Sequence, residues 1–174
     1  ASLLTQLGRM YAAGGQSARA KECYAQAYTL NRRLGQTVEQ IDLLSLLSVL
    51  AAETGQLPQA IEFGEQALQM ASLGNDRLTE ARLRIRLGRL GMSRGDTAGA
   101  LDHFAQGVAL SESLGHPAIH AQALAAMAAA QVAISDPAAL ATYRRALAQA
   151  RAADDPGGEA TAAIGLGQLL VNQG

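Results

Sequence analysis

What the 174 residues lack narrows the choices first. Cys23 is the only cysteine, which rules out an internal disulfide and suits a reducing, cytoplasmic setting. Aromatics stop at Phe63, Phe104 and four tyrosines, and β-branched residues are sparse. That disfavours strands, which draw on both classes. No apolar run approaches the ~20 residues that cross a bilayer, so no membrane role is expected. The formal charge is -1, so no net field points to nucleic acid. Only four prolines interrupt the chain. What remains is rich in alanine and leucine, the strongest helix formers, and predicts an all-α protein. The sequence opens without Met and closes abruptly, and so reads as a piece of something longer.

The chain repeats itself. Gly8, Ser48, Gly88 and Ala128 stand forty residues apart, preceded by Leu7, Leu47, Leu87 and Met127. Ala20, Ala60 and Ala100 keep the step, and Ala139 follows one residue short. Tyr24, Phe104 and Tyr143 recur four residues after those alanines, with Gly64 breaking the series. Such self-similarity is the signature of a stacked-repeat architecture. Each repeat divides into two helices. Gly15, Gly55 and Gly95 mark the turn inside a repeat; Leu34-Gly35, Leu73-Gly74 and Leu114-Gly115 mark the turn between repeats. Ser17 is the expected N-cap of the second helix. Pro58, Pro117, Pro137 and Pro156 are placed at helix starts, where a missing N–H costs nothing. About nine helices are expected: repeats over 1–36, 37–76, 77–116 and 117–155 and a half repeat over 156–174, in a single array.

Leu7, Gly8, Tyr11, Ala20, Tyr24 and Ala27 resemble the signature of a tetratricopeptide repeat. The resemblance extends over essentially the whole chain, with a period of forty instead of 34. That is similar to the long-helix variant of bacterial maltose-regulator-type activators and spindle-orienting adaptors. It implies a right-handed superhelical solenoid of antiparallel helix pairs, with the first helix of each pair lining a concave face. The pattern departs at Gly91 and Gln131, where a bulky residue is usual, and at the short Ser135-Asp136 turn. In the half repeat, Ile164, Leu166, Leu169, Leu170 and Val171 leave little polar face. The chain there either continues in a longer parent or packs on another copy.

Several motifs carry no chemistry. Gly91-Met92-Ser93-Arg94-Gly95 spells a hydrolase nucleophile elbow, but a helix rather than a strand precedes Ser93. Arg94-Gly95-Asp96 spells an adhesion tripeptide, yet Gly95 turns the chain and Asp96 caps the next helix. His116 and His120 are separated by a helix start at Pro117, and no further ligands complete a metal shell. No phosphate loop or dinucleotide fingerprint occurs. No catalytic residue, cofactor or metal site is therefore assigned.

The candidate site is a set of arginines. Arg82, Arg86 and Arg89 follow i, i+4, i+7 spacing and share one helix face. By the resemblance that face is concave, and Arg9, two repeats before Arg89, looks into the same groove. Clamps for a C-terminal carboxylate in this family use basic residues at the positions of Arg82 and Arg86. Thr5, Arg9 and Leu46 depart from the rest of that clamp, which argues against a chaperone-tail ligand. The expectation is a non-enzymatic module holding a peptide or segment of a partner protein with acidic groups. Leu46, Val49, Ile85 and Met92 would supply apolar contacts. Equally open is internal pairing: Glu80 stands four residues before Arg84, and Asp42 is within side-chain reach of Arg82. Other readings are a sensor segment of a larger bacterial regulator, and homo-oligomerisation through the terminal helices.

Overall fold

The computed structural model describes residues 1–173. Among them the chain is all-α: α1 (Ser2–Ala13), α2 (Ser17–Arg33), α3 (Thr37–Glu53), α4 (Leu57–Leu73), α5 (Arg77–Arg94), α6 (Thr97–Ser113), α7 (Pro117–Ala133), α8 (Ala139–Ala152) and α9 (Pro156–Gln173). Consecutive helices pack on one another from α1 to α4 and again from α5 to α9. They fall into two compact bodies, α1–α4 and α5–α9.

Local chemistry sets the hairpins. A residue with left-handed backbone follows each of the first eight helices: Gly15, Gly35, Gly55, Asn75, Gly95, Gly115, Ser135 and Asp154. The step is twenty residues throughout, except for the last, which is nineteen. Helix and turn thus alternate with half the period of the repeat. After α4 the left-handed role falls to Asn75, while Gly74 keeps an ordinary right-handed conformation. The Leu73-Gly74 signal is therefore one residue out of phase with Leu34-Gly35. Asparagine tolerates the position because its short polar side chain offsets the strain there.

Two start signals are corrected. The N-cap of α2 is Gln16, and Ser17 is already helical. Pro137 lies in the turn before α8, where Asp136 Oδ1 instead accepts the Ala138 N–H at 2.9 Å. Pro117 and Pro156 open α7 and α9, and Pro58 is the second residue of α4. Asp96 does cap α6: its Oδ1 accepts the Gly99 N–H at 3.0 Å and its Oδ2 the Arg94 guanidinium at 2.9 Å. Those two donors hold its carboxyl below the usual range.

Small residues on one helix admit rings from the next. In the first body Gly8 faces Tyr24, whose ring lies 2.5 Å from where a Cβ on Gly8 would sit. Tyr24 joins Ala20, Ala27, Leu43, Leu47 and Leu50 in that body's core. In the second body, Gly88 leaves its space to Phe104, which packs with Ala81, Ile85, Ala100 and Ile119. The second repeat reverses the pairing. Ser48 occupies the glycine position and Gly64 the ring position, and the buried Ser48 Oγ donates to the Ala60 carbonyl at 2.7 Å. Ring and hydroxyl are alternative solutions to the same helix–helix gap.

Gly91 and Gln131, two of the departures from the repeat pattern, have different consequences. Gly91 lets α5 approach the start of α6, because a Cβ there would meet the Asp96 carbonyl oxygen at 3.3 Å and the Ala100 Cβ at 3.4 Å. Gln131 is buried with its Oε1 lacking a partner among the described residues. An unpaired acceptor of that kind costs about 1–3 kcal/mol.

In the half repeat, Leu169 is buried against Ala128 and Tyr143, and Leu166 packs beside it. These two face inward, contrary to the expectation of a uniformly apolar outer face. Ile164 and Val171, at 61% and 81% exposed, and Leu170 remain outside.

Candidate functional groove

The second body carries an open groove of about 760 Å³ between the first helices of its successive hairpins. α7 touches both α5 and α9, so these three helices lie side by side. The floor is built from Ala121, Ala125, Ala126 and Ala129 of α7. Their short side chains leave space above the helix that leucines would fill. Phe104 and Tyr143 reach the floor from behind, and Met92 adds an apolar wall. Polar groups sit at the edges: Arg89 from α5, Gln122 from α7, Asp155 and Thr161 from the α9 side. Asp155 Oδ1 is engaged as the cap of α9, accepting the Gly158 N–H at 3.0 Å.

Arg89 thus lines the groove. Arg82 and Arg86 lie on the same face of α5, seven and three residues before it. Their register mates on α7, forty residues on, are Gln122 and Ala126, and both line the groove. Arg82 and Arg89 are exposed, whereas Arg86 is half-buried. Burial and the neighbouring Arg89 charge both lower the Arg86 guanidinium pKa from its ordinary value.

Arg84 belongs elsewhere. Its Nε and Nη2 donate to Glu80 Oε1 at 3.1 and 2.8 Å, as the four-residue spacing predicts. Arg77 stands 3.7 Å from the other Glu80 oxygen. This pair is structural and lies mostly out of water: the side chains of Arg84 and Glu80 are 18% and 7% exposed.

Arg9 is in the first body, lining a separate groove of about 550 Å³ with residues of α1, α2 and α3. Among the expected apolar contacts, Met92 is in place. Ile85 is a core residue at 4% exposure, packed against Ala81 and Phe104, and does not line the groove. Leu46 is half-buried against the core of the first body. The register-mate rule applied to Arg82 would have found Gln122. Nothing in the sequence marked Asp155 or Thr161.

Ser93 is helical, its Oγ donating to the Arg89 carbonyl at 3.1 Å. His120 is buried, with Nδ1 against Ser111 Oγ at 3.2 Å and the Val108 carbonyl at 3.3 Å. Among the described residues, no three metal-ligating side chains gather and no helix is long and apolar enough to cross a membrane.

Residues 1–72 match the tetratricopeptide-repeat family profile. No curated protein matches the chain in sequence. Solved structures do match in fold. One is BtubC from P. vanneervenii, with a TM-score of 0.85 at 19% identity, over 95% of this chain and 69% of that one. Another is the Rap conjugation gene regulator of plasmid pLS20 in complex with the Phr* peptide, with a TM-score of 0.77 at 17% identity, over 94% and 45%. A third is a putative kinesin light chain from Podosopora anserina with nearly identical TPR-like repeats, with a TM-score of 0.75 at 18% identity, over 99% and 89%. The chain spans less than half of the Rap regulator.

Proposed function

Residues 1–72 match the tetratricopeptide-repeat family, and from that premise we propose that the chain is a non-enzymatic, cytoplasmic interaction module. It holds an acidic peptide segment of a partner protein in the α5–α7–α9 groove. The observation that carries this reading is the groove itself: an apolar alanine floor flanked by Arg89, while Arg82 and Arg86 share the helix face of Arg89 by their spacing without lining the groove. Apolar side chains of the ligand occupy the floor and its carboxylates meet the arginines. A charge-assisted hydrogen bond contributes roughly 1.5–3 kcal/mol. Two of them supply about half of the ~8 kcal/mol that micromolar affinity requires. The floor contributes the remainder. A peptide seated on a similar fold, as in the plasmid regulator, is consistent with this mode. An open groove favours a peptide over an enclosed small effector.

Arg82→Ala with Arg89→Ala removes two exposed cations and should leave thermal unfolding nearly unchanged. Fluorescence anisotropy with the tightest acidic binder drawn from a random peptide library should show at least tenfold weaker binding. Equal affinity for the double variant would remove the arginines from the site.

A second reading rests on the exposed Ile164, Leu170 and Val171. A further helix of a longer parent or a second copy of the chain would cover them. Sedimentation at rising concentration should show self-association that Ile164→Glu with Val171→Glu abolishes. A strict monomer would eliminate the second copy.

A further inference from the structure

Counted from the left-handed residue before α3, α5, α7 and α9, the thirteenth residue is Ser48, Gly88, Ala128 and Gly167 in turn. At the first three the following helix fills the space. Ser48 bonds the Ala60 carbonyl, Gly88 takes the Phe104 ring, and Ala128 packs with Ala139 and Tyr143. Where the residue is glycine, as at Gly8 and Gly88, its neighbour is an aromatic ring. Above Gly167 the space is open: a Cβ there would meet nothing within 4 Å.

Gly167 is the centre of an apolar stripe. Ala160, Ala163, Ile164, Gly167, Leu170 and Val171 recur at helical spacing, and all are exposed. Thirty-nine residues earlier, the counterparts of Ala163, Gly167 and Leu170 are Leu124, Ala128 and Gln131 of α7, and all three are buried. The opposite face of α9 is already held: Ala162 and Leu169 are buried, and Gly165 lies against the Tyr143 ring. The stripe is therefore formed before anything covers it, which lowers the cost of binding.

The repeat also specifies what fits. In α2, α6 and α8 the ring stands four residues after one small residue and three before another: Ala20, Tyr24, Ala27; Ala100, Phe104, Gly107; Ala139, Tyr143, Ala146. The small residues let two helices approach, and the ring fills the gap between them. These three rings are buried in their own helix pairs, at 2%, 1% and 6% exposed. No other aromatic in the chain has that flanking, so a folded second copy has no such ring to offer. We propose that the exposed face of α9 is a docking site for an amphipathic helix of a partner protein. That helix carries an aromatic residue with small residues four before and three after it, and its ring enters the space over Gly167. This deepens the second reading above and rests on the same exposed face. Self-association of the bare chain is the weaker use of that face.

The probe is an acetylated, amidated peptide with the sequence of α6, residues 97–113, because its Phe104 is a ring that a glycine receives. Nuclear magnetic resonance of the ¹⁵N-labelled chain should show shifts at Ala163, Ile164, Gly167 and Leu170, with the α5 resonances in place. Phe104→Ala in the peptide should weaken binding roughly tenfold or more, as loss of a buried aromatic anchor does. Gly167→Leu in the chain fills open space and replaces a helical glycine, so it should not lower the melting temperature. It should abolish peptide binding. The chain with Arg82→Ala and Arg89→Ala should bind this peptide unchanged, which separates the site from the acidic-peptide groove. Added peptide should also reverse self-association in sedimentation. Shifts confined to α5 and α7 would mean that the peptide exchanges with α6 in its own core, and would overturn the site. No shift at all, equal binding by the Phe104→Ala peptide, or equal binding by the Gly167→Leu chain would also overturn it. Self-association without peptide binding would leave a second copy as the occupant and overturn the helix. If a longer form of the chain protected these amides from solvent exchange with no peptide added, the covering helix would be its own, and the partner assignment would be overturned. None of these failures bears on the arginine groove.

Discussion

Phe104→Gly is expected to destabilise the second body by about 4–6 kcal/mol. Emptying a buried ring site costs roughly 3–5 kcal/mol, and glycine inside a helix adds about 1. Phe104 is 1% exposed and fills the space that Gly88 vacates. Gly88→Ser alone should also destabilise, because its Cβ would fall within 2.7 Å of the Phe104 Cδ1. A rigid ring cannot yield that much without moving its own helix, and overpacking of this sort costs about 1–3 kcal/mol. Together, however, the two substitutions install the solution of the second repeat, where Ser48 and Gly64 hold these positions. The introduced hydroxyl would face the Ala100 carbonyl as Ser48 faces that of Ala60. The double variant should therefore be more stable than the sum of the singles by about 2 kcal/mol, within the range seen for contacting pairs. Urea unfolding followed by circular dichroism reads all three. Strict additivity would show that the two pairings are not interchangeable.

The next largest effect belongs to Glu80 and Arg84. Arg84→Met leaves a carboxylate that is nearly out of water with the exposed Arg77, at 3.7 Å, beside it. Removing one partner of a buried pair typically costs about 3–5 kcal/mol. Arg84 retains some exposure, so roughly 2–4 kcal/mol is expected here. For a chain of this size that corresponds to a melting temperature lower by about 5–15 °C. Glu80→Leu combined with Arg84→Met should regain most of the loss, since an apolar pair of similar volume removes both desolvated charges. A neutral Arg84→Met would mean that water reaches Glu80 freely. Neither variant touches the Arg82–Arg89 face, so peptide binding measured on the double variant separates scaffold from site.

The sequence pattern identified the candidate groove only in part. Arg82, Arg86 and Arg89 were placed on one face by helical spacing alone, and Arg89 lines the groove. Ile85 looked equally available from its position, yet it turns into the core because α6 and α7 close over that side of α5. Gln122, Asp155 and Thr161 stand at the same groove as Arg89 although 33 to 72 residues separate them from it along the chain. No local pattern links residues so distant. Gly167 could be read only as one more glycine within a helix. Whether the space above it is filled depends on what a neighbouring helix presents to it.

What the residues dictated alone was the repeating hairpin. Its causes are local: glycine or a short polar residue where the backbone turns left-handed, alanine and leucine in between, and small residues at forty-residue intervals. Each of these acts through the conformational preferences of one residue or its neighbours within a turn, and so survives in a linear reading. Tertiary structure decided which arginine pairs internally, which faces a groove, and which buried polar atom is left unpaired. Those outcomes depend on desolvation and on the side chains that neighbouring helices bring within a few ångströms, and packing alone fixes both.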